Sequence, residues 1–524
     1  MTTKNFFVLM ASLLMGSGHL SQTRWGGLYS LSGWQEVTGL ALTFIGMALL
    51  YSVLSSTKKI SQSLWLTALS GFVYYLIALH WIGESLTVDH SAYTWLSVWG
   101  SIGITAIFFP WWMGAVLLFK LINIYRRKRT DSNALNPLLF ATFWSLADLA
   151  LSDFFYGIPL GVLGTSITGT MFEPIYSVIG LHGCTFLLVW IAAETARLVS
   201  EHRFTPQALG SAAVAAACLV VPYADDHQIT PATVKLAAVQ TNARPPIGPS
   251  GEDFNKKSIA TNIHAIRTAF DKGVDLVVLP ESAFLDDLAA EPELTAEIAQ
   301  IIPEGRYLLT GSRQYEIHGE IDTGLDVQTF NVVHLLDSSG IIWSYRKSHL
   351  VLFGEYMPWI FRILGYDVLG GPPGGLAEGT GLVPVRIGDL PPALITICFE
   401  GLLSGPVQRA VGDSQWMLNL SNEALFGTTA GPELVNQYHR IRSMELGMPV
   451  VRSVATSFSG VVGETGEQLS MAKAETFAVL VEEVSMSSRN TVFRTLGYLP
   501  LYLFLSAVVT FAFVGRKRQS RRIF

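Results

Sequence analysis

Three residues of this chain have the types and settings that chemistry needs. Cys398 ends the apolar run Ala393-Leu394-Ile395-Thr396-Ile397 and is followed by Phe399-Glu400-Gly401. Glu281 follows Leu279-Pro280, and Lys347 stands within Tyr345-Arg346-Lys347-Ser348-His349-Leu350. Each comes just after a stretch that reads as a strand, and functional groups of α/β sheets gather at strand ends. Singly, they read as well as a core cysteine, a solvated glutamate and a surface lysine, since free cysteine is among the most buried residue types. Together they make one chemistry. A thiolate is the attacking species, yet a free thiol has a pKa of about 8.5 and needs a base or a cation beside it. A carboxylate can accept the thiol proton and later deliver it to a leaving group. A charged lysine can stabilise an oxyanion together with the backbone N–H after the nucleophile. The sum is covalent acyl transfer in two steps.

Those residues need a scaffold, and the segment from 234 to 485 supplies one. Val234–Gln240, Asp275–Pro280, Tyr307–Gly311, Thr329–Asp337, Ile341–Tyr345, Ala393–Cys398, Trp416–Leu420, Val450–Val454 and Gly460–Val462 read as strands. Ser258–Lys272 and Gln437–Leu446 read as helices. Buried apolar runs alternating with helices predict an α/β layered fold. Residues 365–381, with Gly370-Gly371-Pro372-Pro373-Gly374-Gly375, read as a long loop of the kind used as a lid or binding loop.

The rest of the chain is membrane-like. Of 524 residues, 50% are hydrophobic and only 15% charged, with a mean hydropathy of +0.39; a soluble domain carries roughly 25% charged residues. Apolar stretches near 5–21, 37–54, 64–83, 95–123, 135–153, 174–196, 206–222 and 497–514 each approach the length of about 20 residues that spans a bilayer. The first lacks a small-residue cleavage site and is read as a span. Lys58-Lys59, Arg126–Arg129, Arg197 with Arg203, and Arg516–Arg522 fall at every second connection, whereas Glu84, Asp89, Asp153 and Glu173 fall between them, with Arg24 the main exception. Basic residues stay cytoplasmic. The expected organisation is a membrane domain over 1–222, an extracytoplasmic domain over 223–496, and a last span with a basic cytoplasmic tail over 497–524. The net charge of −6 gives no nucleic-acid signal. Cys184 and Cys218 lie in apolar stretches, so no disulfide can form within the polar domain. His182, His349 and His439 lack metal-ligand spacing, zinc motifs and phosphate-binding glycine loops are absent, and no cofactor is expected.

Leu279-Pro280-Glu281-Ser282, Arg346–Leu350 and Ile397-Cys398-Phe399-Glu400 resemble the Glu–Lys–Cys motifs of the nitrilase (carbon–nitrogen hydrolase) superfamily. His349–Pro358, Asn419–Gly427 and Arg440–Gly447 resemble the apolipoprotein N-acyltransferase family, as do Gly71–Tyr75 with Trp81 and Phe155–Pro159 in the N-terminal bundle. The resemblance covers essentially the whole chain. It implies an αββα sandwich outside the cytoplasm, held in a bacterial inner membrane on the periplasmic side by about eight helices. It also implies that Cys398 takes an acyl chain from a phospholipid as a thioester and passes it to the α-amine of a diacylglyceryl-cysteine lipoprotein. Glu281 is then base and acid, Lys347 stabilises the tetrahedral intermediates, and Glu355, Phe399 and Glu400 support the site. No cofactor is implied, and a monomer is.

The sequence also departs from that family. Phe399 stands where a tyrosine is common, and no tryptophan occurs between 223 and 342, where the family has one near the site. Glu423 and Leu425 replace an aspartate and a tryptophan, and Thr456-Ser457-Phe458-Ser459-Gly460 replaces an asparagine-rich turn. These changes leave three readings open. They are lipoprotein N-acylation, action of a membrane-tethered nitrilase relative on a different amine or amide in an accessory envelope system, and a non-catalytic scaffold. Retention of Glu281, Lys347 and Cys398 speaks against the scaffold.

Overall fold

The computed structural model describes residues 2–21, 23, 35–85, 95–127, 136–155, 157–202, 209–210, 213–214, 216–217, 220, 229–244, 251–318, 326–363, 365, 367–368, 374–487 and 489–514. Most of the stretch 206–222, including Cys218, the basic tail from 515, Arg24, Asp89, Lys128, Arg129, Arg203 and residues 369–373 of the long loop lie outside them. The chain forms two compact units: Met1–Asp225 with Thr429–Gln437 and Thr491–Phe524, and Asp226–Thr428 with Tyr438–Asn490.

The first unit is helical. Its main helices are α1 (Thr3–Leu20), α2 (Gln35–Ser56), α3 (Ile60–Ala78), α4 (His80–Ser85), α5 (Trp95–Arg127), α6 (Asn136–Leu149) and α7 (Tyr176–Glu201), with Leu499–Val514 near the end of the chain. Among the described residues, four helical segments are long and apolar enough to cross a membrane: Glu36–Ser56, Ile60–Ala78, Trp95–Arg126 and Glu173–Glu201. The stretch read as one span over 64–83 breaks at Leu79 into α3 and α4. Small residues let the helices close up. A Cβ on Gly18 would come within 2.6 Å of the Gly39 carbonyl oxygen, so α1 and α2 touch backbone to backbone. Tyr74, Tyr75, Trp112 and Trp144 stack as an aromatic core, with Trp112 and Trp144 centroids 4.3 Å apart. Lys120 Nζ donates to the carbonyls of Leu54 and Thr57 at 2.6 and 2.7 Å, and Lys4 Nζ donates to Thr57 Oγ1 at 2.9 Å. These contacts gather basic residues at the end of α2, where the helix dipole favours them.

Among the described residues, the second unit contains twelve strands: β1 (Ile229–Gln240), β2 (Leu276–Val278), β3 (Tyr307–His318), β4 (Asp326–Asp337), β5 (Gly340–Arg346), β6 (Pro384–Val385), β7 (Ala393–Ile397), β8 (Trp416–Ser421), β9 (Val450–Val454), β10 (Gly460–Val462), β11 (Gln468–Met471) and β12 (Ala478–Ser487). They form two six-stranded sheets, β12-β1-β2-β3-β4-β5 and β11-β10-β9-β8-β7-β6. β1, β2 and β3 run parallel, as do β7, β8 and β9, so their carboxyl ends line up.

Period-two alternation explains the layering. Leu236, Ala238, Val278, Leu309 and Val333 of one sheet share a core with Ile395, Ile397, Leu418, Leu420 and Val451 of the other. The residues between them face outwards. Ala237, Val239, Val277 and Leu279 cover Ala265, Ile266 and Ala269 of helix α8 (Gly251–Phe270) and Ile298 of helix α9 (Pro292–Ala299). Leu394, Met417 and Val450 cover Val407 of helix α10 (Ser404–Ala410) and Leu446. Each fully buried Val, Leu or Ile contributes about 1.5–3 kcal/mol, and this bidirectional burial makes the two sheets the middle layers of an αββα sandwich. Several elements differ from the sequence reading. β1 starts at Ile229 rather than Val234, β3 continues to His318 rather than stopping at Gly311, α8 starts at Gly251 rather than Ser258, the helix before β9 starts at Gly431 rather than Gln437, and β6, β11 and β12 lie outside the strands read from sequence.

Candidate active site

Glu281, Lys347 and Cys398 follow β2, β5 and β7, and the fold brings them together. Lys347 Nζ lies 3.4 Å from Glu281 Oε1 and 2.6 Å from Glu355 Oε1. Lys347 is 1% exposed, and its backbone N–H donates to the Asn331 carbonyl of β4 at 2.9 Å. Burial alone would discharge this lysine, but the carboxylates of Glu355 and Glu281 outweigh it and hold the ammonium well above its ordinary range. Two of its three donors face those carboxylates, which leaves one for a reacting oxygen.

Glu281 is oriented by neutral donors as well as by the lysine. Asn331 Nδ2 donates to Oε1 at 2.6 Å, and the Asn422 backbone N–H donates to Oε2 at 2.7 Å. The next residue, Ser282, has φ +52°, and Gly311 makes room for the turn, because a Cβ there would lie 2.5 Å from the Ser282 nitrogen. Glu355 accepts from Lys347 and from the Val351 N–H at 2.8 Å. Burial raises its pKa; Lys347 works against that rise and Glu281 adds to it.

Cys398 opens a short 3₁₀ turn, Cys398–Leu402, with φ +53°. For a residue with a Cβ this left-handed conformation is uncommon and costs roughly 1–2 kcal/mol. It presents the thiol at the end of β7 rather than letting the chain run on as strand. Burial pushes the thiol pKa up, and the Glu281 charge adds to that; Lys347 and a hydrogen bond with Ser421 act in the opposite direction. The resting sulfur is therefore a thiol, and a base must take its proton when it attacks.

Glu400 ties the two sheets' loops into one piece. It is fully buried and accepts from Tyr345 Oη at 2.7 Å, Ser348 N at 2.8 Å, Ser348 Oγ at 3.0 Å, His349 N at 3.1 Å and Ile397 N at 2.8 Å. Burial by itself would raise its pKa, but hydrogen bonds from His349, Ile397 and Tyr345 hold it below the ordinary carboxylate range. Phe399, the sixth residue singled out from sequence, is half-buried and its side chain brings no polar atom to the cluster. The long loop acts as a buttress here. Leu376, Ala377 and Gly379 donate to the carbonyls of Glu355, Thr329 and Lys347 at 2.7–2.8 Å.

Sequence reasoning missed Asn331, Asn419, Ser421 and Arg452. Asn419 Nδ2 donates to the Cys398 carbonyl at 3.0 Å, and Arg452 forms a buried ion pair with Glu423, which also accepts from Ser457. The signal available was alternation. Thr396, Asn419 and Arg452 occupy outward positions where Leu394, Met417 and Val450 set an apolar pattern, and a polar residue there demands a partner.

Two family models match the chain. Apolipoprotein N-acyltransferase N-terminal domain matches residues 26–193, and carbon-nitrogen hydrolase matches residues 235–492. A protein from Rhodopseudomonas palustris named apolipoprotein N-acyltransferase is 28% identical over 86% of this chain and 85% of its own length. Proteins of the same name from Bradyrhizobium diazoefficiens and Brucella melitensis are each 27% identical, over 86% and 87% of this chain and 85% of their own. A solved amidase of the nitrilase superfamily from Nesterenkonia AN1 covers 52% of this chain and 96% of its own, at 15% identity and a TM-score of 0.37, too low for anything to rest on it.

Proposed function

The chain belongs to the apolipoprotein N-acyltransferase family, and from that premise we propose that it moves a fatty acyl chain from a phospholipid, through a Cys398 thioester, to the N-terminal amine of a diacylglyceryl-cysteine lipoprotein. The observation that carries the reading is the buried Lys347 ammonium, held between Glu281 and Glu355 at the strand end that faces Cys398's loop through Glu400.

The steps follow from what each group can do. Glu281 takes the thiol proton as Cys398 Sγ attacks the ester carbonyl of the phospholipid. The tetrahedral oxyanion accepts from the remaining Lys347 donor and from the Phe399 backbone N–H. Its collapse breaks the ester C–O bond, and Glu281 returns the proton to the departing lysophospholipid oxygen. The lipoprotein amine then attacks the thioester and gives its proton to Glu281. A second oxyanion collapses, the amide forms, and the thiolate recovers the proton. Glu355 orients the ammonium, and Glu400 holds the Lys347 and Cys398 loops in register.

The domain over 223–496 is the catalytic one and faces the periplasm, anchored in the inner membrane by the N-terminal helices and the last span. The basic residues gathered where α2 ends support that sidedness, and the protein acts as a monomer.

The test uses the purified full chain in detergent with phospholipid and a diacylated lipopeptide. A gain of one acyl chain on the peptide amine is expected, with a thioester on Cys398 when the acceptor is withheld. Cys398→Ala is expected to abolish both. Thioester formation followed by transfer only to other amines would overturn the acceptor; product formed by Cys398→Ala would overturn the mechanism.

A further inference from the structure

Asn419 sits on β8 beside Thr396 of β7, fully buried on the outward face of the second sheet. Its Nδ2 donates to Thr396 Oγ1 at 3.1 Å and to the Cys398 carbonyl at 3.0 Å. A carbonyl can only accept, so this pair of bonds fixes which way the amide points. Gly401 keeps the space clear. A Cβ there would lie 3.0 Å from Asn419 Nδ2 and 2.6 Å from His439 Nε2.

We infer that Asn419 is a positioning residue that aims the oxyanion-binding N–H of Phe399, an inference that rests on the acyl-transfer reading of the site. The argument is one of peptide geometry. The Cys398 carbonyl and the Phe399 N–H belong to a single planar trans peptide and point in opposite directions. Anchoring the oxygen to Asn419 on the helix side of the sheet therefore directs the N–H away from that side. Cys398 needs the anchor because its φ of +53° is not a conformation the backbone would keep unaided. Without it the peptide plane is free to rotate, and the donor leaves the position where charge develops. The thiol, its proton and Glu281 are untouched by such a rotation.

That division gives the test. Acyl transfer builds an oxyanion, whereas alkylation of the same sulfur by iodoacetamide does not. Asn419→Ala and the volume-keeping Asn419→Leu are measured in the purified full chain for two rates, thioester formation from phosphatidylethanolamine without acceptor and iodoacetamide alkylation of Cys398. Thioester formation is expected to slow about 10- to 100-fold, somewhat less than outright loss of an oxyanion donor, with alkylation within about threefold of the unmodified protein. Thioester formation at the unmodified rate in either variant overturns the proposal. So does an equal fall in both rates in both variants, which makes Asn419 a general support of the fold. If the unmodified protein alkylates at Cys398 but forms no thioester, the acyl-transfer reading itself fails and takes the oxyanion with it.

Discussion

Each sheet of the second unit carries a row of three register-matched polar residues on its outward face. In the first sheet, Thr310 pairs with His334 and His334 with Ser344; in the second, Thr396 pairs with Asn419 and Asn419 with Arg452. Five of the six are at most 1% exposed, Ser344 being exposed, and they interrupt outward faces that are mostly apolar. The first row bonds within itself, His334 Nδ1 lying 2.7 Å from Ser344 Oγ. The second row also has a bond of its own, from Asn419 Nδ2 to Thr396 Oγ1 at 3.1 Å, but it sends further donors to its surroundings, with Asn419 on the Cys398 carbonyl and Arg452 on Glu423. The difference teaches that a buried polar residue is not in itself a mark of function. What matters is which atom its hydrogen bond ends on.

The sharpest way to break the comparison is Arg452→Met. It leaves the Glu423 carboxylate buried without its cation, and a loss of about 3–5 kcal/mol is expected in chemical denaturation, with partial recovery when Glu423→Gln is added. A loss below about 1 kcal/mol would reduce the second row to the level of the first. A smaller effect is the pH dependence of His334. Burial lowers its pKa from 6.5 to about 4, with Asp287 partly opposing. The unfolded chain therefore binds a proton that the folded one refuses. Stability from this source is full above pH 6.5 and is lost as the pH falls towards about 4, at up to about 1.4 kcal/mol per unit. Melting curves between pH 7 and 4 should be flatter for His334→Leu than for the parent by one proton. The smallest effect is expected at pH 7 from His334→Leu combined with Ser344→Ala. Removing both partners of an internal bond is close to neutral, within about 1 kcal/mol, and acyl transfer should persist. Loss of transfer in that double variant would show that the first row also serves the site.

Much of this arrangement was legible in the sequence. Strand ends gave Glu281, Lys347 and Cys398, because apolar runs that stop at a polar residue are a local signal. Glu355 and Glu400 came only through family resemblance, and the structure explains why spacing could not find them. Glu400 bonds backbone N–H groups of Ser348 and His349, far away in sequence, and every residue except proline has such a donor. The same applies to Asn422, which serves Glu281 with its N–H and not its side chain. β12 escaped because it is defined by pairing with β1, the whole domain away in the chain, and because Glu482 and Glu483 interrupt its alternation. The continuation of β3 to His318 likewise depends on β4, paired from Leu308–Leu336 through His318–Asp326.

The left-handed backbone at Ser282 and Cys398 has a consequence for heat. Both turns hold candidate catalytic loops in conformations that the chain would abandon if released, and the packing of the sheets and a few hydrogen bonds keep them there. Warming weakens those local restraints before it melts the shared core of the two sheets. On the proposed reading, acyl transfer is therefore expected to fail at temperatures where the scaffold of the two sheets still stands.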